Sequence, residues 1–375
     1  MRLIKRIRNK ILRETSRFMD SYSFFFNLPL PQKRLERLSE FAKISGDVKI
    51  AGKIIIPTPQ YLEVCNNVSI KWLNITPKKF VLIEKDSTVK NLACPHHTII
   101  TKSKIYRGKE IPAKVVTISI DFEGGVALSN AAFREWDHLK KFWDSSKAVE
   151  ELAQLFKQYE IPVTWAICGH LFLKECDGHH GILEKDWYGD WFQHDPATNY
   201  KKNSAWYMPE TIQRLAEEPL FEIGYHSFGH YLYQNCSEDT VNKDVLMAEK
   251  IRAEWRLRLD TFVFPYNQLG YLDLLANKGG FSNFRGNIGF VYPAYDILDF
   301  GEFRFFNTTQ MFSPKMMKIC HSQLESIQCE TFNYYTHCHQ WIGREGWNDL
   351  EDWLKALKGL RESNKIILKR MDKVF

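Results

Sequence analysis

The sequence contains no paired-cysteine motif and no long apolar run. Its eight cysteines are scattered, and no two of them are spaced as CxxC. A disulfide framework would need regular cysteine spacing, so the pattern favours reduced thiols in a reducing compartment. No stretch has the apolar length of a transmembrane span, and the basic start lacks the apolar core of a signal peptide. These absences predict a cytoplasmic protein.

Most of the chain also lacks a surplus of positive charge. The net charge is +6, but residues 1–43 hold eleven Lys and Arg against four Asp and Glu, and the remainder is close to neutral. A nucleic-acid-binding protein would carry its surplus on a broader basic surface, so we expect no nucleic acid partner. The start, "MRLIKRIRNKILRETSRF", has apolar residues at helical spacing opposite a basic face. Such a helix could lie on the inner face of a membrane, or pack on its own domain or a partner protein.

Four parts are predicted from the pattern along the chain. Residues 45–112 show short β-like runs broken by Pro, Asn and Gly, with no helix of normal length. From residue 113, buried strands such as "VVTISID" alternate with amphipathic helices such as "SSKAVEELAQLFKQYE", which predicts an α/β fold with a parallel sheet, either open or closed into a (β/α) barrel. The predicted parts are a basic helical segment (1–44), a small β-rich region (45–112), a catalytic domain (113–347) and a C-terminal helix with a basic tail (348–375).

Polar residues follow four of the predicted strands. Reactive residues gather past the carboxyl ends of parallel strands, so we expect these side chains to lie close together. If the two histidines after "FEIGY" share one helical turn, their side chains point the same way. The candidates are Asp121 and Glu123 after "TISI", His226 and His230 after "FEIGY", Pro265 to Gln268 after "TFVF", and His337 and His339 after "TFNYYT".

This set of residues has the chemistry of a hydrolytic metal centre. Two neutral imidazoles and one carboxylate form the open three-ligand site of hydrolytic zinc, and a second carboxylate can serve as general base. Two histidines four residues apart could also be a chance pair on a polar helix face. The acidic pair and the later histidines argue against that alternative.

Four segments resemble, in order, the motifs of the polysaccharide deacetylase family (NodB homology, carbohydrate esterase family 4). They are "VTISIDFEGG", "FEIGYHSFGHY", "TFVFPYNQLG" and "NYYTHCHQW", and the resemblance covers roughly residues 113–345. The second motif, H-S-x-x-H, is the most specific. The resemblance implies a distorted (β/α) barrel that removes N- or O-acyl groups from sugars. It also implies one divalent metal, usually zinc, with cobalt or nickel as alternatives, held by one carboxylate and two histidines.

Roles for the first two motifs follow from this resemblance. His226 and His230 match the two metal-binding histidines. Most members have adjacent aspartates in the first motif, whereas Phe122 separates the two carboxylates here, as in a subset of the family with a D-x-D or D-x-E form. The resemblance then implies Asp121 as the base and Glu123 as the ligand, with the reverse assignment as the alternative.

The later motifs match less completely. His337 matches the histidine that protonates the leaving amine, and His339 beside it is a second candidate. The third motif lacks the arginine that usually orients the base; Tyr266 stands there, and its backbone N–H could complete an oxyanion hole. Arg285 in "FSNFRGN" could supply the missing positive charge, or could pair with a helix terminus instead.

Aromatic insertions separate the first and third strands of the pattern. Their tryptophans could stack on sugar rings or form a hydrophobic lid over the site. We regard two of them as candidate substrate contacts. The candidates are Trp187 and Trp191, with Trp143 and Trp206 nearby in the sequence.

Two functions of different classes remain from the sequence. The first is a metal-dependent hydrolase that removes an N-acyl group, acetyl or formyl, from a nucleotide- or lipid-linked sugar in intracellular glycan or lipopolysaccharide biosynthesis. The missing export signal argues against a secreted polymer as substrate. The second is a non-catalytic or partner-activated scaffold that binds a glycan or a protein, which the missing third-motif arginine would favour.

Overall fold

The computed structural model describes residues 43–44, 48–55, 62–65, 67–75, 81–94, 96–110, 114–126, 146–182, 195–287, 297–343 and 345–374. Nearly all of the predicted basic helix (1–44) therefore lies outside the described residues. The described chain forms two compact units, one ending at Lys109 and the other beginning at Glu110. None of the described helices combines the length and the apolar character needed to cross a bilayer.

The first unit consists of strands that alternate between two sheets. The strands are β1 Lys43–Ile44, β2 Val48–Ile55, β3 Leu62–Val64, β4 Val68–Ile75, β5 Val81–Ile83, β6 Thr88–Cys94, β7 His97–Ile100 and β8 Ile105–Glu110. One sheet has the parallel order β2-β4-β6, and the other has the order β1-β3-β5-β7-β8, in which only the β7–β8 pair is antiparallel. From β1 to β7, successive strands thus belong to opposite sheets, as in a β-solenoid.

Apolar side chains from both sheets form one core in this unit. Val68 and Ile70 of β4 belong to the same buried cluster as Leu62 of β3 and Val81 of β5. Each β-like run is too short to bury its apolar face alone, so stacking on the next strand supplies the burial. The predicted β-rich extension is confirmed.

The second unit contains the alternating strands and helices. Its strands are β9 Val115–Phe122, β10 Val163–Ile167, β11 Phe221–Tyr225, β12 Thr261–Val263, β13 Asn283–Gly286, β14 Ile297–Asp299, β15 Arg304–Asn307, β16 Gln310–Met311, β17 Phe332–His337 and β18 Ile367–Lys369. Its helices are α1 Ser146–Gln158, α2 Pro209–Ala216, α3 Glu238–Trp255, α4 Leu272–Asn277, α5 Met317–Ser322 and α6 Trp347–Glu362.

The sheet of the second unit closes into a distorted barrel. Its strands run in the order β15-β13-β12-β11-β10-β9-β17-β16 and all of these pairs are parallel, while β14 adds antiparallel to β15. Only Thr308 and Thr309 separate β15 from β16. Thr308 donates a backbone hydrogen bond to Gly286 of β13, and Thr309 donates one to Asn333 of β17. The chain itself therefore bridges the two ends of the sheet, and the predicted (β/α) barrel is confirmed.

Local sequence explains the main elements of the barrel. All eight residues of β9 are buried, as expected for a central parallel strand that is covered on both faces. Helix α1 buries Ala148, Val149, Leu152 and Phe156, which lie on one helical face. Helix α3 begins after Ser237, whose side chain accepts a hydrogen bond from the backbone N–H of Thr240 and caps the helix.

The C-terminal segment adds a strand to the barrel. Residues of β18 pair with the first half of β9, and β10 pairs with its second half. Leu368 is buried between exposed Ile367 and Lys369. The prediction of a helix followed by a basic tail was therefore incomplete, because residues 367–369 of this tail form a strand whose side chains alternate between exposed and buried.

Candidate active site

Three predicted metal ligands converge past the ends of β9 and β11. Glu123 Oε1 lies 3.1 Å from His230 Nε2 and 3.4 Å from His226 Nε2. All three side chains are buried, with at most 6% of each exposed. Their ligand atoms form one group close enough to share a metal ion.

The two histidines lie in a tight turn rather than on a helical turn. Residues 227–229 form the turn, and both Ser227 (φ 57°) and His230 (φ 59°) adopt left-handed backbone conformations. The expectation of a helical turn was wrong, because backbone contacts pin this segment to the loop after β10. Gly169 N–H donates to the carbonyl of Ser227 over 2.8 Å. The rings of His226 and His230 still meet, with centroids 4.9 Å apart.

The tautomer of His226 suits a metal ligand. Its Nδ1 lies 2.8 Å from the carbonyl oxygen of Val263, and a carbonyl only accepts, so Nδ1 carries the proton. When the ring is neutral, Nε2 presents a lone pair toward Glu123. No described group donates a hydrogen bond to this buried atom. A buried lone pair facing a carboxylate is unfavourable without a cation, so these residues fit a divalent metal.

A buried arginine from β13 holds the other carboxylate. Arg285 Nη1 and Nη2 each lie 2.7 Å from one oxygen of Asp121, and Nη1 also donates to Ser119 Oγ over 2.9 Å. Only 1% of the Arg285 side chain is exposed, and its guanidinium stacks 4.9 Å above the ring of Tyr335. This two-pronged contact fixes the carboxylate in one orientation. Arg285 thus pairs with Asp121 and not with a helix terminus.

The surrounding charges keep both carboxylates ionised. Burial by itself would raise the pKa of Asp121, but Arg285, His226 and His337 together outweigh burial and lower this pKa below its usual value. Burial also opposes ionisation of Glu123, yet the adjacent imidazoles of His230 and His337 hold its pKa well below the usual range. Burial lowers the pKa of His230 in turn, which favours the neutral imidazole that a metal requires.

The remaining predicted residues form the open side of the site. His337 ends β17, with Nε2 3.6 Å from Asp121 Oδ2 and 3.7 Å from Glu123 Oε1, and 22% of its side chain is exposed. His339 Nδ1 lies 3.8 Å from Glu123 Oε2. Tyr266 has a left-handed backbone (φ 56°), is 46% exposed, and places its ring centroid 4.8 Å from that of His230.

The predicted aromatic contacts are only partly described. Trp187, Trp191 and Trp143 lie outside the described residues. Trp206 is buried, and a Cβ built on Gly125 would lie 2.6 Å from its indole nitrogen. Trp206 therefore packs on the loop that follows Glu123, as a lid residue would, and does not present an open stacking surface.

Comparison with known proteins supports the same fold. Residues 136–277 match the polysaccharide deacetylase family. A protein from Mycobacterium smegmatis assigned as a polysaccharide deacetylase has a similar structure, with 13% identity, 71% of this chain and 91% of that chain covered, and a TM-score of 0.51. This likeness shows the fold. No curated protein matches the chain.

Two further solved structures are similar at lower scores. A protein from Pseudomonas aeruginosa PAO1, likewise assigned as a polysaccharide deacetylase, has 14% identity and a TM-score of 0.48 over 69% of this chain and 89% of its own. The Puue allantoinase has 10% identity and a TM-score of 0.48 over the same shares.

The matched segment contains the turn with His226 and His230. The motifs outside that segment, around Asp121 and His337, reach the same site in the barrel. The resemblance predicted from the ordered motifs is confirmed. Residues 136–277 therefore resemble that family, and Asp121 and Glu123 give the first motif the D-x-E form.

Proposed function

We propose that this protein is a metal-dependent hydrolase that removes an N-acyl group, acetyl or formyl, from a sugar during intracellular glycan or lipopolysaccharide biosynthesis. The polysaccharide deacetylase domain supports a hydrolase of an amide or ester bond. The observation that carries the proposal is one buried carboxylate directed at two histidines, next to a second carboxylate held by an arginine.

We assign the metal ligands as Glu123, His226 and His230. One carboxylate oxygen and two imidazole nitrogens suit zinc, and cobalt or nickel would also accept this set. Such an ion supplies a Lewis acid for the acyl carbonyl and makes water a better nucleophile. Every other task falls to side chains and backbone of this chain.

Asp121 is assigned as the general base. Its carboxylate is ionised and oriented by Arg285, so it can take a proton from the attacking water. The alternative, with Asp121 as ligand and Glu123 as base, fits the distances less well. Both oxygens of Asp121 already bind Arg285, whereas Glu123 Oε1 faces both histidines.

His337 is assigned as the general acid. Amine leaving groups are poor unless protonated, so cleavage of an amide needs a proton donor on the open side of the site. His337 lies there, within 4 Å of both carboxylates. His339 is its neighbour, and the backbone N–H of Tyr266 is assigned to stabilise the developing oxyanion.

The assignment of compartment and substrate carrier rests on the sequence. Scattered cysteines support a cytoplasmic enzyme, and the basic segment 1–44 supports contact with an anionic membrane surface or a partner protein. A lipid-linked sugar would suit a membrane-bound enzyme, and a nucleotide-linked sugar would suit one in solution.

The alternative function, a non-catalytic or partner-activated scaffold, was favoured by the absence of the third-motif arginine. Because Arg285 stands beside Asp121, the described site no longer favours that alternative.

The proposal is tested by metal analysis together with a substrate panel. The protein would be purified without added metal, analysed by plasma mass spectrometry, and incubated with acetylated and formylated nucleotide sugars and lipid-linked sugars. We expect bound zinc, cobalt or nickel, and release of acetate or formate in equal amount to new free amine. A protein that binds no metal even after zinc addition, and releases no acid from any substrate, would overturn the proposal.

A further inference from the structure

A second group of metal-ligating side chains lies on the loops that follow β10. His170 is in a short 3-10 turn, Gly169–Phe172, directly after that strand. Cys176 and His180 follow in the next loop, and Asp195 returns to them from further along the chain. We propose that His170, Cys176, His180 and Asp195 bind a second divalent cation, zinc by its chemistry, and that this ion is structural. The proposed hydrolase site uses none of the four.

The distances within this second cluster match a tetrahedral zinc site. Bonds of about 2.0 Å to nitrogen and oxygen and about 2.3 Å to sulfur place ligand atoms about 3.3 to 3.5 Å apart. Asp195 Oδ2 lies 3.1 Å from His170 Nε2, 2.7 Å from His180 Nε2 and 3.3 Å from Cys176 Sγ. Cys176 Sγ lies 3.7 Å from His170 Nε2. The four ligand atoms all lie within 4.8 Å of one another.

The tautomer of His170 also favours a bound cation. Its Nδ1 lies 3.0 Å from the carbonyl oxygen of Trp206, which can only accept, so Nδ1 carries the proton. In the neutral ring, Nε2 then presents a lone pair to the carboxylate of Asp195. A lone pair that faces a carboxylate at this buried position is unfavourable. A cation between the two groups removes the conflict.

Charge and burial assign the ion a structural role. A thiolate and a carboxylate together neutralise a divalent ion, so the complex with two neutral imidazoles has no net charge to bury. The side chains of His170 and Asp195 are fully buried, and only 5% of His180 is exposed. The hydroxyl of Tyr207 lies 3.0 Å from Cys176 Sγ and donates a hydrogen bond to Asp195 Oδ1 over 3.1 Å. Groups around a metal site commonly orient the ligands by such hydrogen bonds. Four protein ligands leave no position for a substrate.

The second cluster is joined to the turn that carries the active-site histidines. His170 N–H donates to the carbonyl of Phe228 over 3.0 Å. The ring of Phe228 also contacts His170 and His180, with centroids 5.6 and 5.0 Å away. An ion in the second cluster would therefore hold the loop after β10 against the turn between His226 and His230.

Cobalt substitution of the whole protein tests this proposal. A thiolate bound to Co²⁺ gives a near-ultraviolet charge-transfer band, and the proposed active-site ligands include no thiol. We expect about two metal ions per chain in the wild type and a thiolate band in its cobalt form. Cys176→Ser should remove the band, whereas His226→Ala and the control Cys329→Ser, at an exposed cysteine, should keep it.

The outcomes separate this proposal from the proposed function. A cobalt-substituted wild type without a thiolate band, or a single bound ion that is lost in His226→Ala, would overturn the second site. A band that persists in a protein with no hydrolytic activity would support the second site even though the proposed function fails. The wild-type measurements decide the matter if Cys176→Ser does not fold.

Discussion

The two clusters of metal-ligating residues use similar side chains but differ in what surrounds them. Around Glu123, His226 and His230 lie a carboxylate held by arginine and two rim residues with appreciable exposure, His337 and Tyr266. The second cluster has four candidate ligands, one of them sulfur, and is enclosed by aromatic rings. Zinc sites that catalyse keep a position open, whereas structural sites fill all four. Ligand number and enclosure, more than residue type, therefore distinguish the two proposed roles.

The largest effect should follow removal of an active-site ligand. For His226→Ala we expect loss of the active-site metal and a fall in kcat/KM of more than about 10³-fold, because several kcal/mol of transition-state stabilisation is lost with the ion. Metal analysis and acid release from the best substrate of the panel would measure both. The second cluster should keep its ion. Loss of both ions together would show that the two sites bind metal cooperatively, and would contradict separate catalytic and structural sites.

Substitution of the two carboxylates should separate base from ligand. We expect Asp121→Asn to lower kcat by about 10²- to 10⁴-fold while the metal content is unchanged, as for loss of a general base. Glu123→Gln should lower the metal content itself. The reverse pattern, with metal lost only in Asp121→Asn, would exchange the two assigned roles. Circular dichroism is needed as a control, since Asp121→Asn leaves the buried Arg285 without its charged partner.

Substitution of a ligand in the second cluster should lower the stability of the fold and leave the active-site metal in place. For His180→Ala we expect the free energy of unfolding to fall by about 3 kcal/mol, the contribution of an ion present at about 100 times its dissociation constant. Urea unfolding would measure it, and the active-site metal should remain. The exposed neighbour His179 is the matched control, since its side chain is not part of the cluster. Equal stability of His179→Ala and His180→Ala would contradict a structural ion.

Glu222 is a buried carboxylate outside both clusters, and its pKa shifts in the opposite direction from theirs. Glu222 accepts hydrogen bonds from Thr164 and Thr261, and burial together with the negative charge of Asp372 raises its pKa to about 7. The carboxylates of Asp121, Glu123 and Asp195, which lie beside arginine or histidine side chains, have lowered pKa values instead.

This raised pKa should make stability fall as the pH increases. The folded state retains the proton of Glu222 between about pH 4.5 and about pH 7 while the unfolded chain releases it, so the free energy of unfolding falls by about 2 to 3 kcal/mol across that window. Glu222→Gln should flatten the slope in urea unfolding at several pH values. A smaller slope should remain from Asp244, whose pKa burial raises to about 6. An unchanged slope in Glu222→Gln would contradict the assignment.

Local patterns predicted the barrel and most of its candidate site. Alternating strands and helices indicated the parallel sheet, and every described candidate at a strand end reached the same edge, because parallel strands present their carboxyl ends together. The sequence did not decide whether Arg285 contacts Asp121 or a helix terminus. It depends on the register of β13 within the closed sheet, which no local pattern specifies.

Other features depend on contacts between distant residues. The left-handed turn at Ser227 and His230 reflects its attachment to the loop after β10, where helical spacing alone suggested a helix. The second cluster was missed because Asp195 is far from His170 in sequence. The signal available was local: His170, Cys176 and His180 follow one predicted strand within a single loop, at a spacing suited to a metal.

The pairing of β18 with β9 affects how the protein can be made. The strand that carries Asp121 is paired with β17 along one edge, but the first half of its other edge gains a neighbour only after residues 367–369 have been synthesised. A ribosome that has completed the deacetylase motifs still holds a chain whose central strand has an unsatisfied edge. We therefore expect the barrel to mature only once β18 has left the ribosome, and nascent chains that stall before β18 to need a chaperone.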